Sequence, residues 1–273
     1  MQLAGLIDTH CHLDAAEFST DRQQQLALAL EAGVTNIVIP AVARENFSAV
    51  LDLCQQHKHC ACALGVHPMY VDGAALTDLD ALQEELRHPA VVAVGEIGLD
   101  YFVGHADPLA NRQRQSLFFS EQLKLAHKFD LPVILHVRQA IDEVLMHLRR
   151  HAVPGGIAHA FNGSKQQAEQ FIAMGFKLGF GGAMTYQRAT KLRDLAQSLP
   201  LESIVLETDA PDMPPSWLAA GQKNSPKELA KIAQVLADLR QVKLSQVLDI
   251  TSANARQILP KLANLCTSPK VLH

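Results

Sequence analysis

A chain of 273 residues, 48% apolar and 19% charged, has ample material for the core of a single (β/α)8 barrel, a fold of about 250 residues. A net charge of −4 without a long Lys/Arg run argues against holding duplex DNA on a broad basic face, though not against gripping one or two phosphates through metal ions. No apolar run reaches the roughly 20 residues of a membrane span, no signal-peptide pattern opens the chain, and five cysteines without framework spacing suit a reducing compartment, so a cytoplasmic protein with no membrane association is expected.

Gly5 to Asp14, GLIDTHCHLD, carries the first candidate chemistry. Ile7 to His12 reads as a short buried strand, with Asp8, His10 and His12 on one face and Thr9 and Cys11 on the other. Two imidazoles beside an acid can bind one divalent metal, but His-x-His also arises by chance, so the rest of the chain must decide. Gln23 to Ala32 follows as a helix, closed by Gly33 in the C′ role. Asn36 to Ala41 is a second strand and Asn46 to His57 a helix. Cys60 to His67 is the third strand, followed by a helix around Leu76 to Arg87. Val91 to Asp100 is the fourth, and a long helix runs from about Arg112 to Phe129.

Pro132 starts a fifth strand, PVILHV, and a helix spans Ala140 to His151. Gly156 to Phe161 and Phe176 to Gly181 are strands six and seven, with a helix between them. Leu192, Leu195, Ala196 and Leu199 mark a helix with one apolar face. Ser203 to Asp209 is the eighth strand. Leu229, Ile232, Ala233 and Leu236 repeat the helical spacing, a last helix covers Ser245 to Leu259, and Ser268-Pro269 lies in a short tail. Eight apolar strands separated by amphipathic helices imply an α/β fold, a parallel sheet covered by helices. Closure into a TIM barrel forming one domain over residues 1–273 is the expectation. The competing open doubly wound sheet lacks a Gly-x-Gly-x-x-Gly after strand one in its dinucleotide-binding form.

Ionisable groups avoid buried strands, yet they recur here near the C-terminal ends of separate strands, where a barrel places its active site. They are His10 and His12 on strand one, His67 on three, Glu96 on four, His136 on five, His159 on six and Asp209 on eight. Leaving His67 aside, four histidines with a Glu and an Asp exceed the needs of one tetrahedral zinc and suit two ions sharing a bridging carboxylate. The partition read from the strands puts His10, His12 and Asp209 on one ion, His136 and His159 on the other, and Glu96 between them. Two divalent ions carry more charge than two carboxylates cancel, which activates a water and attracts an anion. Hydrolysis of a phosphoester is the natural reaction, with Asp209 as general base. Zinc, manganese and magnesium all suit such a donor set.

The segments HCHLD, GVHP, GEIGLDY, LPVILHVR, HAF and ETDAP, in that order, resemble the TatD family of metal-dependent deoxyribonucleases in the amidohydrolase superfamily, over nearly the whole chain. Gln115, Phe119 and Gln122 resemble that family's helix pattern after strand four. The resemblance implies a TIM barrel, one or two divalent metals on His10, His12, Glu96, His136, His159 and Asp209, and phosphodiester hydrolysis, commonly 3′→5′ on single-stranded DNA. Two departures stand out. Met69 occupies a position where the family often has a second histidine. After the last strand, Lys223, Asn224 and Pro226 match a basic segment, but Ala220 and Gln222 replace other cations, which weakens phosphate contacts.

His67 is read as a substrate contact or proton donor rather than a ligand. Arg138, on the same face as His136, can hold a substrate phosphate or bridge to a neighbouring loop. Lys223 and Asn224 complete the expected substrate contacts. Asp8 and Glu207 are read as orienting histidines from beneath. Tyr101, Phe161 and Trp217 are candidates for stacking on a base. Cys54, His57, His59, Cys60 and Cys62 match no common zinc spacing and read as structural. His88, His105, His127, His147 and His151 read as solvated. The expected partner is a transient DNA end and the expected state a monomer, with a small phosphoester, ester or C–N hydrolase as the alternative.

Overall fold

The computed structural model describes residues 5–104 and 106–265, so the expectations at His105 and at Ser268-Pro269 fall outside it. Eight parallel strands run in chain order around one sheet. They are β1 Leu6–Asp8, β2 Val34–Pro40, β3 Cys60–Leu64, β4 Val91–Asp100, β5 Val133–Arg138, β6 Gly156–Ala158, β7 Phe176–Phe180 and β8 Ile204–Leu206. The ring is completed beyond the ends of β1 and β8: Thr9 N–H donates to the Leu206 carbonyl, Asp209 N–H to His10 and His12 N–H to Ala210.

Helices α1 Arg22–Glu31, α2 Phe47–Gln56, α3 Thr77–Glu85 and α4 Pro108–Phe129 alternate with the first strands. Helices α5 Ile141–Arg150, α6 Lys165–Ala173 and α7 Thr190–Ser198 alternate with the later ones, and α8 Leu229–Arg240, α9 Leu244–Ile258 and α10 Leu262–Leu265 follow β8. Strand alternation divides the core in two. Ile7, Val38, Val92, Ile134, Ile157 and Val205 pack together, closed off by Ala255, Ile258, Leu259 and Leu262 from the C-terminal helices. Larger side chains such as Leu64, Phe118, Phe119 and Phe171 fill the layer between sheet and helices. Plugging the barrel at one mouth leaves its polar residues at the other.

β4 spans the predicted residues. β1, β3, β6 and β8 stop sooner than expected, so His10, His12, His67, His159 and Asp209 stand on the segments just beyond the ladders. Gly33 adopts φ +87° after α1, the left-handed C′ role that its sequence position predicts. No helix among the described residues is long and apolar enough to cross a membrane.

Candidate metal centre

Strands β4 and β5 and the segments leaving β1, β6 and β8 bring Glu96, His136, His10, His12, His159 and Asp209 together. Four donors at about 2.1 Å from a tetrahedral ion stand about 3.4 Å apart. His10 Nε2 lies 3.3 Å from His12 Nε2, 3.2 Å from Glu96 Oε2 and 3.6 Å from Asp209 Oδ1. His12 Nε2 lies 3.6 Å from Asp209 Oδ1 and 3.7 Å from Glu96 Oε2. These spacings fit one divalent ion.

A second set surrounds the other Glu96 oxygen. Oε1 is 2.9 Å from His136 Nδ1, 3.5 Å from His67 Nε2 and 3.9 Å from His159 Nε2. Asp209 divides in the same way, its Oδ2 lying 3.8 Å from His159 Nε2. The His10 and His159 rings stack at 3.6 Å, which links the two sets. Glu96 is buried and turns one oxygen to each group of imidazoles, as a bridging carboxylate does. His67, expected only as a substrate contact, stands as near to Glu96 as the candidate ligands do, and with Glu96 and His136 it forms a group that could itself hold an ion.

Charge in the cage follows from burial and neighbours. Burial drives the Glu96 carboxyl up, but His10, His67 and His136 outweigh it and hold the group well below the usual carboxylate range. Burial raises Asp209 to about 6 against the pull of His159 and His12. His10 is lowered, by burial first and then by His159. His159 moves to about 10, because Glu207 and Asp209 overcome its burial. An anionic Glu96 beside a neutral His10 is the state in which both offer lone pairs to a cation.

The supports beneath the cage differ in part from the sequence reading. Glu207 Oε1 lies 3.1 Å from His159 Nδ1 and accepts from Ala160 N–H at 2.5 Å, which agrees with an orienting role. Its carboxylate fits only because residue 179 is glycine, where a Cβ would stand 2.2 Å from Oε2. Asp8 does not touch a histidine ring. It accepts from Thr208 N–H at 2.9 Å, Thr208 Oγ1 at 2.6 Å and His10 N–H at 3.3 Å, tying the ends of β1 and β8 together.

Sequence reasoning missed Asp100. Its Oδ2 lies 3.0 Å from His136 Nε2, while Oδ1 accepts from the N–H groups of Phe102 and Val103 at 2.9 and 3.2 Å. Burial works against ionisation, yet His136 and these N–H groups hold the Asp100 carboxyl down to about 2. From α4, Gln115 brackets the Asp100 backbone, accepting from its N–H and donating to its carbonyl. Gln122 does the same to Val66, next to His67. Two glutamines seven apart share a helix face, and that spacing was the available signal.

A cavity of about 1060 Å³ opens above the cage. Arg138 and His67 line it. Lys223 does not reach it as a free cation, because Nζ donates to both Asp21 oxygens at 2.8 and 2.9 Å and to the Glu17 carbonyl at 2.7 Å. Asn224, expected at the substrate, is fully buried and donates to the Thr208, Asp212 and Met213 carbonyls. It braces the loop after β8, and the expectation is corrected accordingly. The stacking candidates also lie elsewhere: Phe161 packs on Phe171, Trp217 donates to Glu228 and Tyr101 carries Arg112. Met69, Tyr70 and Phe102 line the cavity instead. Six described non-glycine residues have positive φ; Asp130 and Gln241 cap helices, whereas Gln139, Ala160, Asp209 and Met213 all line the cavity. Backbone strain thus concentrates at the candidate site.

Away from the site, Cys54, Cys60 and Cys62 are buried free thiols, and burial pushes Cys60 up to about 12. His147 is not solvated. It is buried between α5 and α4, with Ser116 and Ser120 hydroxyls 3.0 Å from its two nitrogens.

A model of TatD-related DNases matches residues 7–260 of this sequence. YjjV, a metal-dependent hydrolase of Escherichia coli (strain K12), is 49% identical over 237 residues, covering 86% of this chain and 90% of its own. The crystal structure of YjjV superposes with a TM-score of 0.89 at 44% identity, over 95% of this chain and 99% of that one. TatD of Salmonella typhimurium, a 3′-5′ ssDNA/RNA exonuclease, is 30% identical over 93% of this chain and 98% of its own.

Proposed function

This chain belongs to the family of TatD-related DNases and is a metal-dependent hydrolase, and from that premise we propose that it hydrolyses phosphodiesters, trimming single-stranded DNA from the 3′ end. The observation that carries the reading is Glu96, with Oε2 at 3.2 Å from His10 and Oε1 at 2.9 Å from His136. His10, His12 and Asp209 would hold one divalent ion and His136 and His159 a second, with Glu96 shared. Bound there, two such ions supply Lewis acidity to a phosphoryl oxygen and lower the pKa of a water toward neutrality.

The chain's own groups do the remainder. Asp209 lines the cavity with Oδ1 3.6 Å from His12 Nε2 and Oδ2 3.8 Å from His159 Nε2, which places its carboxylate to accept a proton from a water held there. Glu207 and Asp100 fix the rings of His159 and His136 from behind. Arg138 at the cavity rim supplies a fixed positive charge for the substrate phosphate. The product is released to solvent, so contact with DNA is transient.

The test is digestion of end-labelled single-stranded DNA with Mg²⁺, Mn²⁺ or Zn²⁺, with EDTA, and with His136→Ala as the control for contamination. Metal-dependent shortening from the 3′ end, lost in the variant, is expected. No shortening by folded, metal-loaded protein refutes the nuclease reading and moves the assignment to a small phosphoester.

A further inference from the structure

The cavity has two unlike walls. On one, Met69, Tyr70 and Phe102 are 46%, 50% and 55% exposed, large apolar side chains presented to the opening. The Arg138 guanidinium lies 3.7 Å from the centre of the Phe102 ring. Asp14 and Glu17 after β1 and Asp212 after β8 also line the cavity, across the ring of strands from β3, β4 and β5. Histidines apart, Arg138 is the one basic side chain in the lining among the described residues. Lys223, the other expected cation, is bound to Asp21.

We propose, resting on the phosphodiesterase reading, that this cavity holds one phosphodiester and its flanking nucleobase. Arg138 grips the phosphate, the base stacks on the wall of Phe102 and Tyr70, and further phosphates find no cationic path. A groove that follows a strand places cations along successive phosphates, and each phosphate neutralised adds about −0.7 to the salt slope of single-strand binding. Here a strand leaving across the far wall meets three carboxylates, which repel it. A guanidinium laid on an aromatic ring keeps its N–H edge available to an anion while its position is fixed by stacking. The volume of about 1060 Å³ matches the upper end of the range for a single small ligand. Stacking tolerates every base, so little sequence preference follows.

The test uses Mn²⁺-loaded protein and oligothymidylates of two, four, eight and sixteen nucleotides ending in 2-aminopurine, whose fluorescence is quenched on stacking. KM is expected to level off by four nucleotides, with a salt slope near −0.7, the value for one phosphate. Phe102→Ala should abolish the quenching and raise KM roughly 5- to 100-fold, with both restored by Phe102→Trp. Arg138→Ala should raise KM and flatten the salt slope, whereas Arg138→Lys should keep the slope. KM that keeps falling to sixteen nucleotides with a slope steeper than about −2, or quenching unchanged in Phe102→Ala, overturns the inference and leaves the nuclease reading intact. Turnover of bis(p-nitrophenyl) phosphate without turnover of any oligonucleotide overturns the nuclease reading, and the inference with it.

Discussion

Asp100→Asn probes the link between a buried carboxylate and the cage. Asparagine keeps the shape, and its carbonyl oxygen can still accept from Phe102 and Val103 N–H in place of Oδ1. Its NH2 then replaces Oδ2, 3.0 Å from His136 Nε2. Two donors cannot face each other, so Nε2 must give up its proton and accept. The proton moves to Nδ1, the nitrogen 2.9 Å from Glu96 Oε1, which then has no lone pair for a cation. Losing the partner that fixes a ligating histidine costs about 10- to 100-fold in metal affinity or activity, or about 1.4–2.7 kcal/mol. The assay is calorimetric titration of metal-free protein with Mn²⁺ or Zn²⁺, alongside phosphodiesterase kinetics at saturating metal. Asp100→Asn should weaken the affinity within that range while the metal-free protein keeps its fold, read by circular dichroism. Affinity unchanged within about threefold would show that His136 does not ligate through Nδ1, and the argument from tautomer would fail.

Gly179→Ala sets a methyl 2.2 Å from Glu207 Oε2, so urea unfolding should show a loss of about 1–3 kcal/mol from overpacking, with hydrolysis impaired through His159; wild-type stability and rate would mean Glu207 moves aside freely. Removing metal with EDTA should stop hydrolysis, and restoring it at a hundredfold over Kd should add about 2.7 kcal/mol, a rise of about 5–10 °C in melting temperature; no shift in scanning fluorimetry counts against a metal centre held by the folded state. Burial, then His151 and Arg150, lower the pKa of His147, so the fold prefers its neutral form. That preference is fully present above the ordinary histidine pKa of about 6.5 and is lost as pH falls from there toward the lowered value. Unfolding free energy should therefore drop more steeply between pH 7 and 5 in wild type than in His147→Gln, and equal slopes would refute the assignment.

The cluster of donors around Glu96 was legible because it broke a rule. Polar side chains at the ends of apolar runs have no reason to be there unless something holds them, and His10, His136 and Glu96 sit within or directly after such runs. β4 was readable to the residue because Val91 to Asp100 is a mostly apolar run, buried on both faces. What pairing contributes was less visible. His10 and His12 continue the alternation of β1, but their backbone bonds run to the segment after β8, and nothing local to GLIDTHCHLD reports that. Asp100 closed a strand and read as its last polar residue; its importance depends on His136, 36 positions away. His147 looked solvated because helix composition cannot show that Ser116 and Ser120 of the preceding helix face it. Asn224 matched a cationic segment by alignment of type, while its amide does the unrelated work of closing a loop.

The difference between cage and recognition surface has a physical origin. Histidines and carboxylates that must agree to within a few tenths of an ångström stand on segments anchored by the sheet, where Gln115, Glu207 and Asp8 lock the backbone or rings. On the proposed reading, the side chains that would meet the substrate stand at the end of β5, at Arg138, and on the longer connections after β3 and β4, where Tyr70 and Phe102 are about half exposed. Met69, Ala220 and Gln222, where the resemblance leads one to expect a histidine and cations, stand on such connections too. None of the three belongs to the donor groups around Glu96. On the proposed reading, the loops after β3, β4 and β8 set how much of a strand the cage is offered.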